Sequence, residues 1–272
     1  MKYSVSARQP YSVLKKADEV MVNTIDRDII IDYVEKIPDK RVVLKLTEDL
    51  ENYDLWKMYD EKLGSFYIAL CNLYKAKDLN ENGIKWFWPY PITSYYELVN
   101  IVALGASMVD LGPPLSFDLE NVKKIIGDVK IRMSCNCARP AYLPDELPAA
   151  NLGGQWVRPE DVEAYGEYVD TFYFEDVELT RESTLLHIYK DNQNWPGNLN
   201  LLIDKLNYNV DNRVIPEELG SLRRNCKQRC LSGGACRLCL RGFEFATKIR
   251  KEKFRREREA RELEEQNLID NN

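Results

Sequence analysis

Residues 105–135 read G-A-S-M-V-D-L-G-P-P-L-S-F-D-L-E-N-V-K-K-I-I-G-D-V-K-I-R-M-S-C. The apolar run over 108–112 reads as a strand, 118–126 as a helix with Asp118 near its cap, and 129–135 as the next strand. Two strands joined through a helix lie parallel and are linked by a right-handed crossover. Whether this beat is repeated along the chain therefore decides the fold.

It is repeated in both directions. Upstream, strands are expected over 3–7, 19–23, 41–46, 66–72 and 84–89. Between them lie helices over 11–17, 27–36 and 53–62, and a helix or turn near 75–80. The helix at 27–36 follows Thr24-Ile25-Asp26 and carries Ile29, Ile30, Tyr33, Val34 and Ile37 at helical spacing. The helix over 93–104 has Thr93 or Ser94 as its cap and Gly105 at its end. Downstream, a long loop over 136–157 is marked by Pro140, Pro144, Pro148, Gly153 and Gly154. A helix over 158–168 with Pro159 at an early position follows, then a strand over 170–175 and helices over 181–190 and 199–206. Eight strands alternating with helices predict a (β/α)8, TIM-like barrel over residues 1–206. A doubly wound open sheet is the competitor, but no glycine-rich phosphate turn follows the first strand.

Beyond residue 206 the character changes. Residues 207–242 form a cysteine-rich loop, and 243–272 a long charged helix (243–266) with a disordered tail. In the loop, Cys226, Cys230, Cys236 and Cys239 fall within fourteen residues as C-x3-C-x5-C-x2-C, with Gly233 and Gly234 at its centre. Glycines there let the chain fold back so that four sulfurs face one centre. Zinc takes four thiolates tetrahedrally, though usually from pairs separated by a longer insert. A 4Fe-4S cluster is larger and accepts ligands at four corners from one winding loop. The loop is compact like those of some cluster-bearing DNA-repair glycosylases, although the order of spacings differs. Iron–sulfur cluster, zinc, and free or disulfide-bonded thiols remain the three readings.

The hydrophobic fraction of 44% and charged fraction of 30% describe a globular chain, and apolar runs such as 66–71 are too short to span a bilayer. The first residues show no apolar signal region, so a cytoplasmic protein is expected, with no membrane partner. A net charge of −6 leaves no global field for nucleic acid, so any such contact must be local. The segment with Lys248, Arg250, Lys251, Lys253, Arg255, Arg256 and Arg258 is the one candidate RNA face. Otherwise it is a solvated helix rich in i,i+4 pairs, or a surface for a protein partner.

In a barrel of this kind function collects where strands end. That rule selects Ser6, Arg8, Asn23, Lys45, Asn72, Tyr90, Asp110, Cys135, Cys137, Arg139, Glu175 and Asp176. Lys45, Arg139 and Glu175 are the catalytic candidates, and Lys45 and Asp110 are expected to face inward, able to pair across the mouth. Cys135 and Cys137 fall on one face of an extended chain, as a second ligand pair, a redox pair or apolar fillers. Cys71, within an apolar strand, reads as a buried filler. The single histidine, His187, lies mid-helix among apolar neighbours and reads as structural, which leaves nucleophile–histidine hydrolysis little support. Aromatics crowd 86–96 and serve mostly as core, with one or two able to stack a planar ligand at the mouth.

Tyr168-Val169-Asp170-Thr171-Phe172-Tyr173-Phe174-Glu175, followed by a helix ending in Ile188-Tyr189-Lys190, resembles the V-D-x-hydrophobic-x-x-E … Y-R segment of the collagenase-like peptidase family. Residues 105–112 are similar to that family's barrel repeat. The likeness covers residues 80–190. It implies a barrel that carries an iron–sulfur cluster and assists hydroxylation of RNA or ubiquinone precursors, the peptidase name notwithstanding. The family's cluster cysteines follow another spacing, so only Glu175 maps onto a motif position. The expectation is a cluster-bearing barrel enzyme or accessory factor in RNA modification. A non-catalytic, zinc-stabilised interaction protein is the alternative.

Overall fold

The structure, a computed structural model, describes residues 1–22, 27–37, 40–46, 67–112, 115–137, 156–174, 178–191 and 194–203, with 212, 255, 258, 259 and 262. The expected helix at 53–62, most of the loop over 136–157, and the cysteine-rich loop apart from Asn212 lie outside these residues.

Eight parallel strands close into a barrel in chain order: β1 (Lys2–Ser6), β2 (Glu19–Val22), β3 (Arg41–Leu46), β4 (Tyr67–Leu70), β5 (Trp86–Ile92), β6 (Met108–Leu111), β7 (Lys130–Ser134) and β8 (Thr171–Tyr173). Pairing Lys2↔Thr171 and Ser4↔Tyr173 joins β1 to β8 and completes the ring. Six α-helices are described: α1 (Tyr11–Leu14), α2 (Arg27–Lys36), α3 (Ala76–Glu81), α4 (Tyr95–Ala103), α5 (Leu119–Ile126) and α6 (Leu179–Lys190). The (β/α)8 barrel expected from the alternating pattern is the fold.

The local chemistry explains the boundaries. Ser94 Oγ accepts the Glu97 N–H at 3.2 Å while Glu97 Oε2 accepts the Thr93 N–H at 3.3 Å, a reciprocal cap that starts α4. Gly105, at φ +91°, ends that turn in a conformation other residues rarely adopt. Asp118 stands at the start of α5 but caps nothing; its carboxylate accepts the Tyr95 hydroxyl and the Asn121 amide.

Several elements differ from the sequence pattern. β5 runs past residue 89 to Ile92, and its pairing with β6 breaks between Trp88 and Ile92, where Pro89 and Pro91 supply no N–H to the ladder. The expected helix at 158–168 is a 3-10 segment, Pro159–Tyr165, with only Pro159 and Val162 buried. So few apolar anchors do not sustain longer α-helix. At 199–206 the described part is likewise a 3-10 turn, Leu199–Leu201. Ile29 of α2 is exposed and only Ile37 of the described apolar set there is buried.

Strand alternation separates two environments. Val20, Leu44, Ile68, Val109, Ile131 and Met133 face outward and are almost wholly buried against the helices, Leu98, Val122 and Leu186 among them. The inward set includes Val43, Tyr67, Ala69, Phe87 and Met108, a second, smaller apolar cluster. Met21 packs against that cluster, and most of the remaining described inner surface is polar or charged.

α6 fastens the ring. The Tyr189 hydroxyl donates to Val157 O at 2.7 Å, and the Tyr3 hydroxyl donates to Tyr189 O at 3.0 Å. Lys190 pairs with Asp18 at 2.9 Å, and Asp18 in turn accepts the Tyr3 N–H. In this chain the Tyr-Lys pair of the resemblance motif thus holds the last helix to the first strand.

Candidate active site at the barrel mouth

Inward residues of β7 are Lys130, Arg132 and Ser134, alternating with outward Ile131 and Met133. Arg132, 1% exposed, reaches across the barrel: Nη1 donates to Glu19 Oε1 at 3.1 Å and Nη2 to Ser4 Oγ at 3.4 Å. Its guanidinium lies 4.4 Å from the Tyr173 ring centroid and 5.3 Å from that of Phe87, covered by both aromatic faces. Glu19, with 0% exposure, also takes Arg41 Nη1 at 3.2 Å. Arg41 continues to Asp170 at 2.9 Å and Thr171 at 3.1 Å. Charges survive this deep only when paired and hydrogen-bonded, and Glu19 is the shared counter-ion of two arginines. Burial alone would raise the Asp170 carboxyl, but the hydrogen bond and charge of Arg41 outweigh it and hold Asp170 below its ordinary value. Nearby, Lys130 donates to the Tyr67 hydroxyl at 2.9 Å.

Above this network a cavity of about 270 Å³ opens at the strands' C-terminal ends, lined by Ser4, Ser6, Arg8, Met21, Phe87, Asp110, Arg132, Tyr173 and Glu182, among others. Asp110, 2% exposed, sits on β6 in register with Arg132 on β7. Glu182 projects from the first turn of α6 with 5% exposure. Its Oε1 accepts the Ser6 N–H at 2.9 Å and its Oε2 accepts the Gln9 side-chain amide. Burial raises its pKa, against the opposing effect of those two hydrogen bonds and the charge of Arg8. Arg8, at the exposed rim, has its Nε 3.5 Å from Ser6 Oγ. The arrangement offers positive donors, two buried carboxyls and aromatic faces around one small volume, a setting suited to orienting a polar ligand and moving a proton.

The strand-end rule therefore places Ser6, Arg8 and Asp110 at the cavity. Lys45 belongs to β3 with its Cα in register with Ala69, and its side chain lies outside the described residues. Asn23, Arg139, Glu175 and Asp176 lie outside them too, as do Cys226, Cys230, Cys236 and Cys239. Asn72 caps the turn after β4 by accepting the Tyr74 N–H at 3.1 Å. Tyr90 is half exposed, edge-on to Trp88 at 4.9 Å, and the adjacent Cys71 thiol pushes its hydroxyl pKa up. Cys71 is half-buried at the end of β4 rather than deep in the core.

Cys135 is wholly buried on the outer side of β7's end, in the layer shared with Phe174 and Tyr189, and its thiol contacts Tyr173 O at 3.6 Å. It is turned away from the cavity. Cys137 is half-buried, and no disulfide joins Cys71, Cys135 and Cys137. Among the described residues no three His, Cys, Asp or Glu side chains gather as a metal site. His187 is exposed, not packed in the core, and pairs with Asp191 at 3.2 Å. It does not line the cavity.

Sequence reasoning missed Arg132, Glu182 and Tyr173, whereas Phe87 belongs to the aromatics over 86–96 of which one or two are expected at the mouth. Arg132 was readable from the polar alternation Lys130, Arg132, Ser134. For Glu182 the only signal is its helical phase with the buried Leu185, Leu186 and Tyr189, three, four and seven residues on.

No family model matches the sequence, and no curated protein matches it. Solved structures that are similar include 3-keto-L-gulonate-6-phosphate decarboxylase from Vibrio cholerae, at 12% identity and TM-score 0.42, covering 70% of this chain and 96% of that one. Another is 3-hexulose-6-phosphate synthase from Salmonella typhimurium, at 13% identity and TM-score 0.41, covering 71% and 100%. A third is a U32 peptidase, at 12% identity and TM-score 0.40, covering 65% and 92%. Likeness at this level says nothing of family or activity. Among the described residues no helix is long and apolar enough to cross a membrane.

Proposed function

We propose that the chain is a cytoplasmic barrel enzyme or accessory factor in hydroxylation-type RNA modification, which works at the mouth cavity and binds an iron–sulfur cluster through Cys226, Cys230, Cys236 and Cys239. The observation that carries the first part is the cavity, where Asp110, Arg132 and Glu182 are each buried at the strands' C-terminal ends. A barrel kept only for shape has no need of such groups, since apolar side chains fill a lumen at lower desolvation cost. The cluster rests on the donor set, four cysteines within fourteen residues, which fits the four corners of a cubane. When bound, a cluster supplies one-electron chemistry. Arg132 and Arg8 orient a ligand, Asp110 serves as base, and Glu182, its pKa raised by burial, exchanges a proton with it. Lys45, Arg139 and Glu175 stay candidate contributors to the same mouth, with Cys135 and Cys137 behind it as packing groups.

The test is nucleoside mass spectrometry on RNA from cells lacking the protein. Loss of one hydroxylated nucleoside, restored by the wild-type chain but not by Asp110→Asn or Cys236→Ala, supports the reading. An unchanged nucleoside profile contradicts it.

One observation favours a second reading. Arg255 pairs with Glu259 at 3.4 Å and Arg258 with Glu262 at 3.5 Å, so two of the basic residues assigned to RNA are neutralised along their own helix. That suits a zinc-stabilised interaction protein whose charged helix meets a protein partner.

A further inference from the structure

Buried carboxyls in this molecule meet two kinds of partner. Glu19 accepts from Arg41 and Arg132, and Asp170 accepts from Arg41 and Thr171. A guanidinium only donates and keeps its charge, so it fixes its carboxylate in the ionised form. Glu182, 5% exposed, is met instead by neutral amides, the Ser6 N–H on Oε1 at 2.9 Å and the Gln9 side chain on Oε2. Those two amides differ. A backbone N–H cannot accept, so Oε1 is held as an acceptor and a proton on Glu182 belongs on Oε2. The side-chain amide of Gln9 carries donors and an acceptor on one terminal torsion, and half a turn puts its oxygen where its nitrogen stood. Gln9 itself is buried, and its backbone N–H donates to Ser6 O at 3.1 Å, which fixes the turn it stands on.

From this contrast we infer that Gln9 is a positioning residue for Glu182: its amide donates to the carboxylate and, turned over, accepts from the carboxylic acid, so that Glu182 gains and loses a proton without leaving its place. When Glu182 takes a proton, the ligand's bond to that hydrogen breaks, its electron pair stays on the ligand, and an O–H bond forms at Oε2. The Gln9 amide turns from donor to acceptor, and release reverses each change. The charged groups around the same space are Arg8 on the turn after β1, Asp110 on β6 and Arg132 on β7. Arg8 favours the ionised form of Glu182, but burial outweighs it and favours the protonated one. The inference rests on the reading of Glu182 as a proton-exchanging group at the mouth, yet its test needs neither RNA nor the cluster.

The experiment is an NMR titration of the full chain that follows the Glu182 side-chain carboxyl carbon, the Gln9 side-chain NH2 and the Ser6 amide. The Gln9 NH2 should move with the same midpoint as the Glu182 carbon, while the Ser6 amide stays protected from solvent exchange on both sides of it. Gln9→Met, which fills similar space without an amide, should shift the Glu182 midpoint upward, because the bond lost to the charged form is the stronger one. Glu182→Gln, a permanent stand-in for the neutral acid, should keep the Ser6 protection, since the Gln9 oxygen can meet the new NH2. Adding Gln9→Lys to it, a donor facing a donor, should cut that protection about tenfold. A Gln9 NH2 indifferent to the Glu182 titration, an unmoved midpoint in Gln9→Met, or Ser6 protection lost as Glu182 protonates would each overturn the inference. So would equal Ser6 protection in Glu182→Gln with and without Gln9→Lys. Should the titration fail while the nucleoside test succeeds, only this inference falls. Should it succeed while nucleosides are unchanged, the RNA reading falls and the Gln9–Glu182 pair stands.

Discussion

The two faces of the same strands follow opposite rules. Outward, β7 presents Ile131 and Met133 to a dry layer shared with the helices, where shape and apolar area determine stability. Inward, the same strand presents Lys130 and Arg132 to a lumen held by ion pairs, with Glu19 shared between Arg41 and Arg132. The outer layer makes the barrel; the inner one is costly to build and becomes intelligible once a cavity opens above it. Chemistry in this molecule has its room at the mouth, where the cavity opens above the paired charges.

The sharpest way to break that contrast is to remove the shared counter-ion. Glu19→Ala leaves two buried guanidiniums short of a partner and should cost about 3–5 kcal/mol in chemical denaturation. The triple change Glu19→Met, Arg41→Leu, Arg132→Met, which replaces the lumen charges with apolar groups, should regain most of that loss while abolishing ligand binding. If the triple variant is as unstable as Glu19→Ala, the lumen is not separable from the outer shell as described. On the outer face, Ile68→Ala removes a side chain with no exposed surface and should cost about 3 kcal/mol through transfer and cavity terms, without touching the mouth. Tyr189→Phe strands Val157 O on the clasp of α6 and should cost about 1–2 kcal/mol.

The pH dependence separates two carboxyls of opposite sign. Asp170 is held low by Arg41, so its contribution is present in full above the unfolded value of about 3.9 and is lost as pH falls through its lower folded value. Glu182 is raised by burial, so its ionisation opposes folding, and stability contributed by its protonated form declines as pH rises from its unfolded value through its folded one. Asp170→Asn should therefore flatten the acid limb of a stability–pH curve, whereas Glu182→Gln should flatten the decline that begins as pH rises through the unfolded Glu value. The smallest effect belongs to the surface: His187→Ala, at an exposed i,i+4 pair, should change stability by about half a kcal/mol or less.

Much of the barrel was legible because outward positions of a parallel strand read as apolar runs bounded by turns. The third strand and second helix were found at their observed bounds, 41–46 and 27–36. Boundaries failed where prolines or sparse apolar anchors decide: β5 through Pro89 and Pro91, and the 3-10 turn at Pro159–Tyr165. The site was legible only at strand ends, as with Ser6, Arg8 and Asp110. Arg132 lies one layer deeper and reaches the cavity by its length, and Glu182 comes from a helix, so no strand-end rule points to either. His187 misled because apolar neighbours in sequence are not neighbours on a helix face.

The central claim joins a charged mouth to a cysteine-bound cluster, and metal with acid-labile sulfide analysis on protein purified without oxygen tests it most directly. The account predicts about four iron and four sulfide per chain, with brown absorbance that is lost on Cys226→Ala. One zinc per chain in colourless protein, or no metal at all, would contradict it.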